Sequence, residues 1–467
     1  PENNQSSFEY WETKEEVEAV LASGYINLRS SVETFLLWGE GRGNGLSFWS
    51  TSGSDLQKAA VKLRAFDILP TNGLADWSKP YAAIAMANAV IKYAPDVVDK
   101  DPSFDMNMCR SFMAEAFFQR TLAYFYIVRT FKDAPFVTEP YVDDSAPYIM
   151  PKEDGITILK LCIADLEEYL PNAKEFFPEV DNDNPINTKG RATRWGIHAL
   201  LADMYLWLGD YENSIKHCNS VINSGRVGLI GNGFLNYYPG NSNEGIFEIQ
   251  YSNPKSQTNS FLTWFKAGTD GYYKASDYMT NLFEQNESES RGLNYSYNEA
   301  GYIWKYLGVD NATARVASEN DQNYLIYRLA DVYLMKAEAL IMQDNYEMAG
   351  ELIDKTRQRA GLEKMTLSED RLIMLEYLLV ERQKEFFAEG KNWFDMLRIG
   401  LRSQQLSDVR YKNLFIEQAL KAVAATSQSL GRATLSNEGS WYMPFSESEL
   451  QKNPLLVQSE YYESISN

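Results

Sequence analysis

YLIYRLADVYLMKAEALIMQDNYEMAGELIDKTRQRAGL, residues 324–362, carries Leu325, Leu329, Val332, Met335, Ala339 and Met342 at intervals of three or four. That spacing gathers apolar side chains on one buried face of a helix. Gln343-Asp344-Asn345 interrupts the pattern, and a second helix is expected from Tyr346 to about Arg359, ended by Gly361. Ala337, Ala339, Ala349 and Gly350 are small where the two helices must touch, so the backbones can approach closely. The stretch predicts a helical hairpin of the tetratricopeptide kind, with NYEMA at the turn and second-helix start.

A related pair is read in ATRWGIHALLADMYLWLGDYENSIKHCNSVINSG, residues 192–225, with LGDYENSI at the turn. Well over a hundred residues separate the two, so the repeats do not form a clean tandem array and a solenoid proper is not expected. Further helices are predicted over 8–37 as one long element, over 77–93, over 106–131 with an apolar surface all round that marks a central helix, over 156–170, and over 371–387. GEGRGNGLSFWSTSGSD, 39–55, and EVDNDNPINTKG, 179–190, read as loops. From 230 to 323 the helical signal fades; GIFEIQYS, 245–252, alternates as a short strand would, among loops dense in Tyr, Trp, Asn, Gly and Ser. A polar stretch over 401–435 and an extended tail close the chain.

Three motifs of the last third, RLADVYLMKAEAL, RQRAGL and ERQKEFFAEGKNWFDMLRIG, occur in an order that resembles the C-terminal signature of the SusD/RagB family of surface nutrient-binding lipoproteins of Bacteroidetes. The ending MPFSESELQKNPLLVQSEYY is similar to that family's tail, and WSKPYAAIAMAN resembles its W-x3-Y-x2-I-x2-A-N helix. The resemblance implies a mostly α fold of SusD-like architecture, with tetratricopeptide-like pairs as scaffold and a loop-rich half holding a few short strands. One such unit is expected over 1–467, with an N-terminal half, 1–229, and a C-terminal signature half, 230–467, containing the loop-rich segment 230–323. It also implies a lipid anchor upstream of Pro1; the chain itself opens without initiator Met, basic n-region or apolar h-region and reads as a mature or trimmed form.

A net charge of −20 argues against a nucleic-acid partner, because phosphate binding needs an excess of Lys and Arg. No run of about 18 apolar residues is present to span a bilayer as a helix. Cys109, Cys162 and Cys218 are odd in number and far apart, each in an apolar helical stretch, so buried free thiols are expected. His198 and His217 lie in helical patterns with no G-x-S-x-G elbow, H-E-x-x-H or C-x2-C pair nearby, which argues against nucleophilic hydrolysis and zinc chemistry. EVDNDNP lacks the spacing and terminal Glu of an EF-hand. Neither a cofactor nor a metal ligand set is assigned.

Glu381, Glu385 and Glu389 fall at i, i+4 and i+8 on one helix face. They are read as structural partners of Arg382, Arg398, Arg357 or Arg359, and Arg328 with Asp331 as a pair that neutralises itself one turn apart. The glycines of GEGRGNG lack the preceding strand and following G-K-[ST] of a phosphate loop. They are expected instead to bring Arg42, Asn44 and Trp49 to a surface. In the family an Arg-Ser/Gly-Asp sequence stands here beside ligand-facing residues, and Arg42-Gly43-Asn44 matches that placement with Asn in place of Asp. Ten Trp and thirty Tyr give the chain many flat faces on which a sugar ring can pack, with short polar side chains left for its hydroxyls. Among the aromatics of the loops over 230–323, Trp264, Tyr272 and Tyr273 are the preferred contacts, because in the family that is resembled ligand loops stand just before the stretch similar to YMTNLFEQNESESR. Trp77 is assigned to the core.

The implied function is capture of an oligosaccharide at the cell outer membrane and delivery to a SusC-like TonB-dependent transporter, without catalysis and with membrane contact only through the anchor. Two alternatives stay open: a peptide-binding receptor of the RagB kind, and a helical glycosidase using an opposed carboxylate pair roughly 5–10 Å apart.

Overall fold

A computed structural model describes residues 10–48, 54–140, 149–266 and 271–466. The chain runs through α1 (Lys14–Ser30), α2 (Val32–Glu40), β1 (Leu46–Phe48), α3 (Asp55–Arg64), α4 (Ser78–Val98), α5 (Met106–Phe131), α6 (Gly155–Tyr169), α7 (Ile186–Gly190), α8 (Arg194–Leu208) and α9 (Tyr211–Ile222). The loop-rich part holds β2 (Gly245–Ile249), α10 (Phe261–Trp264), β3 (Tyr273–Ala275), α11 (Asp277–Glu284) and α12 (Trp304–Leu307). Then come β4 (Tyr324–Arg328), α13 (Leu329–Met342), α14 (Tyr346–Arg359), α15 (Arg371–Glu385), α16 (Asn392–Leu406), α17 (Val409–Leu420), α18 (Gln428–Leu435), α19 (Glu447–Lys452) and α20 (Glu460–Ser466). The architecture is mostly helical, with short two-stranded pairings only, β1 with β3 and β2 with β4, among the described residues.

Helix α5 is the central one. Asp105 caps it by accepting from Met108 N at 2.8 Å, and every residue from Ser111 to Phe131 is buried. Its charged and amide side chains are tolerated there because they are paired. Glu115 pairs with Arg191 at 2.7 Å, Arg120 with Asp165 at 2.6 Å, and Gln119 donates to Leu21 O at 2.9 Å. Arg129 lies 3.9 Å from the centre of the Phe125 ring. Against this helix pack α4 and α6, and α1 packs on α4.

Both predicted hairpins form. In the first, Thr193 caps α8 and Gly209, at φ 82, supplies the left-handed turn into α9. In the second, Asn345 caps α14 and Gly361, at φ 80, ends the chain segment after it. Helix α9 packs directly on α13, so the two pairs stack side by side although their sequences are far apart. The segment between them leaves and returns instead of breaking the stack. Trp77 is in the core, as expected.

Three sequence readings need correction. The expected single helix over 8–37 breaks at Ser31 into α1 and α2: Ser30 and Ser31 both turn their hydroxyls back onto Asn27 O, at 2.7 and 2.9 Å, a bond that bends helices. Leu325 belongs to no helix. Residues Tyr324–Arg328 form β4, antiparallel to β2 and buried throughout, and the helix begins only at Leu329; the aromatic and β-branched YLIYR favours a strand once a partner is present. The polar stretch over 401–435 contains α17 and α18, the former burying Tyr411, Phe415, Ile416, Ala419 and Leu420 on one face.

Charge is buried along with this scaffold. Arg328, at the start of α13, reaches Glu244 at 2.8 Å, Glu385 at 2.6 Å and Glu389 at 2.9 Å. Arg291 binds Glu289, Glu381 and Glu385, Arg359 binds Glu244 and Glu385, Lys305 binds Glu389 and Lys384 binds Glu289. Five cations thus face five carboxylates. Burial opposes ionisation of Glu385, but Arg359, Arg328 and Arg291 outweigh it and hold its carboxyl well below the usual range. Arg328 does not neutralise Asp331 as expected; Asp331 is bound by Lys391 at 2.7 Å and Arg382 at 2.9 Å. Glu338 is bound by Arg398 at 2.6 Å.

At the end of α2, Glu40 is buried and accepts from Gly390 N at 2.9 Å and Lys391 N at 3.3 Å. Burial nevertheless raises its carboxyl from 4.5 to about 8.

Two measurements follow from these buried charges. Arg328→Met should lower the free energy of unfolding by about 3–5 kcal/mol in urea titration, because three carboxylates lose their shared cation; removing the partly exposed Arg371, paired with Asp344 at 2.6 Å, should cost less than about 1 kcal/mol. Between pH 4.5 and 8 the unfolded chain releases the Glu40 proton while the folded chain keeps it. This group therefore lowers stability as pH rises, by roughly 1.4 kcal/mol per pH unit. Glu40→Gln should remove that slope, and an equal variant–parent difference at pH 5 and pH 8 would show that Glu40 is ionised in the fold.

Candidate functional site

The two segments nominated from sequence meet in one ribbon. Strand β1 pairs antiparallel with β3 in the register Leu46–Ala275, Ser47–Lys274 and Phe48–Tyr273. The chain therefore leaves β1 and enters β3 at the same end. Arg64 secures the ribbon from α3, donating from Nη2 to Leu46 O at 2.6 Å and from Nε to Gly41 O at 3.3 Å, with its guanidinium 5.8 Å from the Phe48 ring centre.

Beneath the ribbon the glycine-rich run does something other than expected. A Cβ at Gly43 would stand 2.6 Å from Asn392 Oδ1, and one at Gly39 would overlap the Gly390 carbonyl. The alternating glycines let the chain lie flat against residues 390–392. Asn44 is fully buried at that contact: its N–H donates to Asn392 Oδ1 at 2.9 Å, its Oδ1 accepts from Asn392 Nδ2 at 3.0 Å, and its Nδ2 donates to Gln418 O at 3.0 Å. Ser276 Oγ donates to Asn44 O at 2.6 Å, which ties the start of α11 to the same point. Arg42 is buried too, donating to Ser440 O at 3.2 Å with its guanidinium 4.2 Å from the Trp393 ring centre. Burial lowers its pKa to about 10, which leaves it cationic at neutral pH.

Arg42 and Asn44 thus bind the protein's own backbone and rings, and the surface role expected for them is corrected. Their partners stand some 350 to 400 residues away in sequence, at Asn392, Gln418 and Ser440.

Strand alternation divides the neighbouring tyrosines. Tyr273 points inward, fully buried between Phe48 and Phe265 at ring separations of 5.8 Å each. Its hydroxyl has no hydrogen-bond partner among the described residues, and burial raises its pKa well above the usual phenol value. Tyr272 points the other way and is partly exposed, its N–H donating to Trp264 O at 2.9 Å. Trp264 is buried to 9% residual exposure against Phe261 and keeps only an edge to solvent. Trp49 lies outside the described residues. The outward face carried by Tyr272 also bears Ser47 and Lys274, both half-buried, which sequence reading missed; the i, i+2 relation of Tyr272 to Lys274 was the available signal, but it requires knowing that 273–275 is a strand.

Most other aromatics of the loop-rich part build its interior. Phe265 stacks on Tyr306 at 4.0 Å, Tyr237 donates to Glu389 at 3.0 Å, and Trp304 Nε1 donates to Asp310 O at 2.7 Å. Trp and Tyr supply here the core that long helices supply elsewhere.

The carboxylates at 381, 385 and 389 are enclosed in the ion network described above, and none faces a second acid across an open cleft. His198 and His217 contact each other through their Nδ1 atoms at 2.8 Å, with His217 Nε2 2.9 Å from Glu167; burial lowers His198 to about 4, so the pair is neutral. The three cysteines are buried and free. Among the described residues no group of three or more His, Cys, Asp or Glu is placed to hold a metal ion, and no helix is long and apolar enough to cross a membrane.

Comparison with known proteins places this geometry. The SusD family model matches residues 237–462, and a second model, described as starch-binding associating with outer membrane, matches residues 6–206. The SusD-like protein P38 of Formosa agariphila is 25% identical over 456 residues, covering 85% of this chain and 86% of that protein. Among solved structures, a SusD superfamily protein of Bacteroides thetaiotaomicron superposes with a TM-score of 0.76 at 19% identity, over 97% of this chain and 99% of that one. A laminarin-binding SusD-like protein gives 0.72 at 21% identity, over 97% and 100%. With one model matching residues 6–206, the other 237–462, and the same fold found along nearly the whole chain, this protein belongs to the SusD family of glycan-binding proteins of Bacteroidetes.

Proposed function

We propose that the protein captures an oligosaccharide at the outward face of the β1–β3 ribbon and hands it intact to a SusC-like TonB-dependent transporter in the outer membrane. The observation that carries this reading is the match of residues 6–206 to a starch-binding, outer-membrane-associated family, since β1 lies inside that match and β3 inside the other. Tyr272 offers a ring face, Trp264 an edge, and Ser47 and Lys274 offer polar groups for hydroxyls; Trp49 joins them on the strength of its place in the sequence next to Phe48. Arg42 and Asn44 act from below by fixing the ribbon on α16 and α17. Binding of this kind needs no cofactor. Attachment to the membrane is through a lipid upstream of the chain, a proposal drawn from the family.

The fold resembles that of a laminarin-binding protein, which makes a β-1,3-glucan a reasonable probe beside a starch fragment. In calorimetric titration with laminarihexaose, maltoheptaose, xylohexaose and mannohexaose, at least one should bind and be recovered unshortened. Tyr272→Ala and Trp49→Ala should each weaken that binding about tenfold, the worth of one stacked ring. Tyr273→Phe should leave it unchanged, because the hydroxyl is buried. Full affinity in both alanine variants would move the site elsewhere, and shortening of the oligosaccharide would turn the receptor into an enzyme.

A further inference from the structure

A cavity of about 440 Å³ opens between the loop before α8, the turn after α9 and the approach to β2. Its size is within the range of small-ligand sites. Trp195, half-buried on the first turn of α8, and Phe176, 60% exposed, give it two flat faces. The Trp195 indole Nε1 is buried with no hydrogen-bond partner among the described residues.

The walls are set in advance. Glu179 accepts from Asn187 N at 3.0 Å and Thr188 N at 2.6 Å, closing the 179–188 loop on itself. Asn241 Nδ2 donates to Asn184 Oδ1 at 2.9 Å, joining that loop to the segment before β2. Gly228 N donates to Asn243 O at 3.2 Å, joining the turn after α9 to the same segment. Trp195 itself is backed by the His198 ring, 6.1 Å away and 22° from parallel. No wall has to be ordered when a ligand arrives, which lowers the cost of binding.

Charge in the cavity selects the ligand class. Its charged lining residues are Glu175, Asp183, Lys189 and Arg226, two of each sign, in a protein whose net charge is −20. Arg226 is already held by Glu175 at 2.9 Å, and the buried Lys189 donates to Gly245 O. The result is a locally neutral site with donors, acceptors and two aromatic faces. A peptide terminus, a phosphate or a nucleotide would bring unbalanced charge; a neutral sugar brings hydroxyls and an apolar C–H face.

We infer that this cavity is a second saccharide site, taking one or two neutral sugar units against Trp195 and Phe176, separate from the ribbon. The inference deepens the glycan-receptor reading and rests on it. It gives a long glycan a second point of attachment, which raises apparent affinity for chains able to span both.

The test uses the full chain with 15N-labelled tryptophan, observed by NMR during titration with maltoheptaose, laminarihexaose, xylohexaose and mannohexaose. The Trp195 indole resonance is assigned by its disappearance in Trp195→Phe, and the Trp264 resonance by its disappearance in Trp264→Phe. With the saccharide that binds, the Trp195 signal should move saturably, and Phe176→Ala, a truncation at an exposed position, should weaken that saturation about tenfold. Movement of Trp264 with a stationary Trp195 leaves the receptor reading in place and overturns the second site, as does a Trp195 shift that Phe176→Ala leaves untouched. Movement of Trp195 alone upholds the cavity and removes the ribbon. If neither signal moves with any of the four saccharides, both readings fall together.

Discussion

The guanidinium of Arg328 is the point on which the two kinds of structure in this protein are joined. It sits where β4 becomes α13, and its three carboxylates come from the approach to β2 and from the end of α15 and the turn after it. A planar group with several donors can satisfy partners in three directions at once; an ammonium is a point charge and would not hold the same geometry. The carboxylates are in turn shared with Arg291, Arg359 and Lys305, so the charges balance only as a set. Such a set contributes less to net stability than its count of ion pairs suggests, because each charge left water to join it. What it does give is definition: the loop-rich part can dock on the helical stack in one arrangement, since any other strands a buried charge.

That definition matters because both proposed binding surfaces are built from loops. The ribbon rests on Asn44, whose side chain and backbone are bonded to Asn392, Gln418 and Ser276, and on Arg42 over the Trp393 ring. The cavity near Trp195 is framed by hydrogen bonds within and between three loops. In both places polar residues that look free in the sequence are used to fix backbone.

Much of the scaffold was legible because helices carry their signal locally. The periodicity of 329–342, the Asn345 cap and Gly361 define a hairpin without reference to the rest of the chain, and the order of the family motifs in the last third did the same for the family. The strand at 324–328 was not legible, since YLIYR fits a helical register as well as a strand until Gly245–Ile249 is known to lie beside it. The site was the least legible part. Arg42 and Asn44 are polar residues in a glycine-rich loop, the usual description of ligand contacts, and only the arrival of Asn392, Gln418 and Trp393 turns them inward. The aromatic clusters misled in the same way: rings such as Phe265 and Tyr237 are the core of a region that has few aliphatic helices to make one. Partners hundreds of positions away leave no mark on the local pattern.

The flat contact of Gly39 and Gly43 on residues 390–392 bears on the order in which the molecule can assemble. During synthesis the N-terminal helices emerge early, but the surface they need at Asn392, Gln418 and Ser440 is made almost last. Until then Gly39 and Gly43 lack the surface they pack on, and Glu40 lacks the Gly390 and Lys391 N–H groups that bind it. Closing so long a loop is slow because chain entropy must be spent before the contact returns anything. The seat of the ribbon is therefore complete only once residues 390–440 are in place.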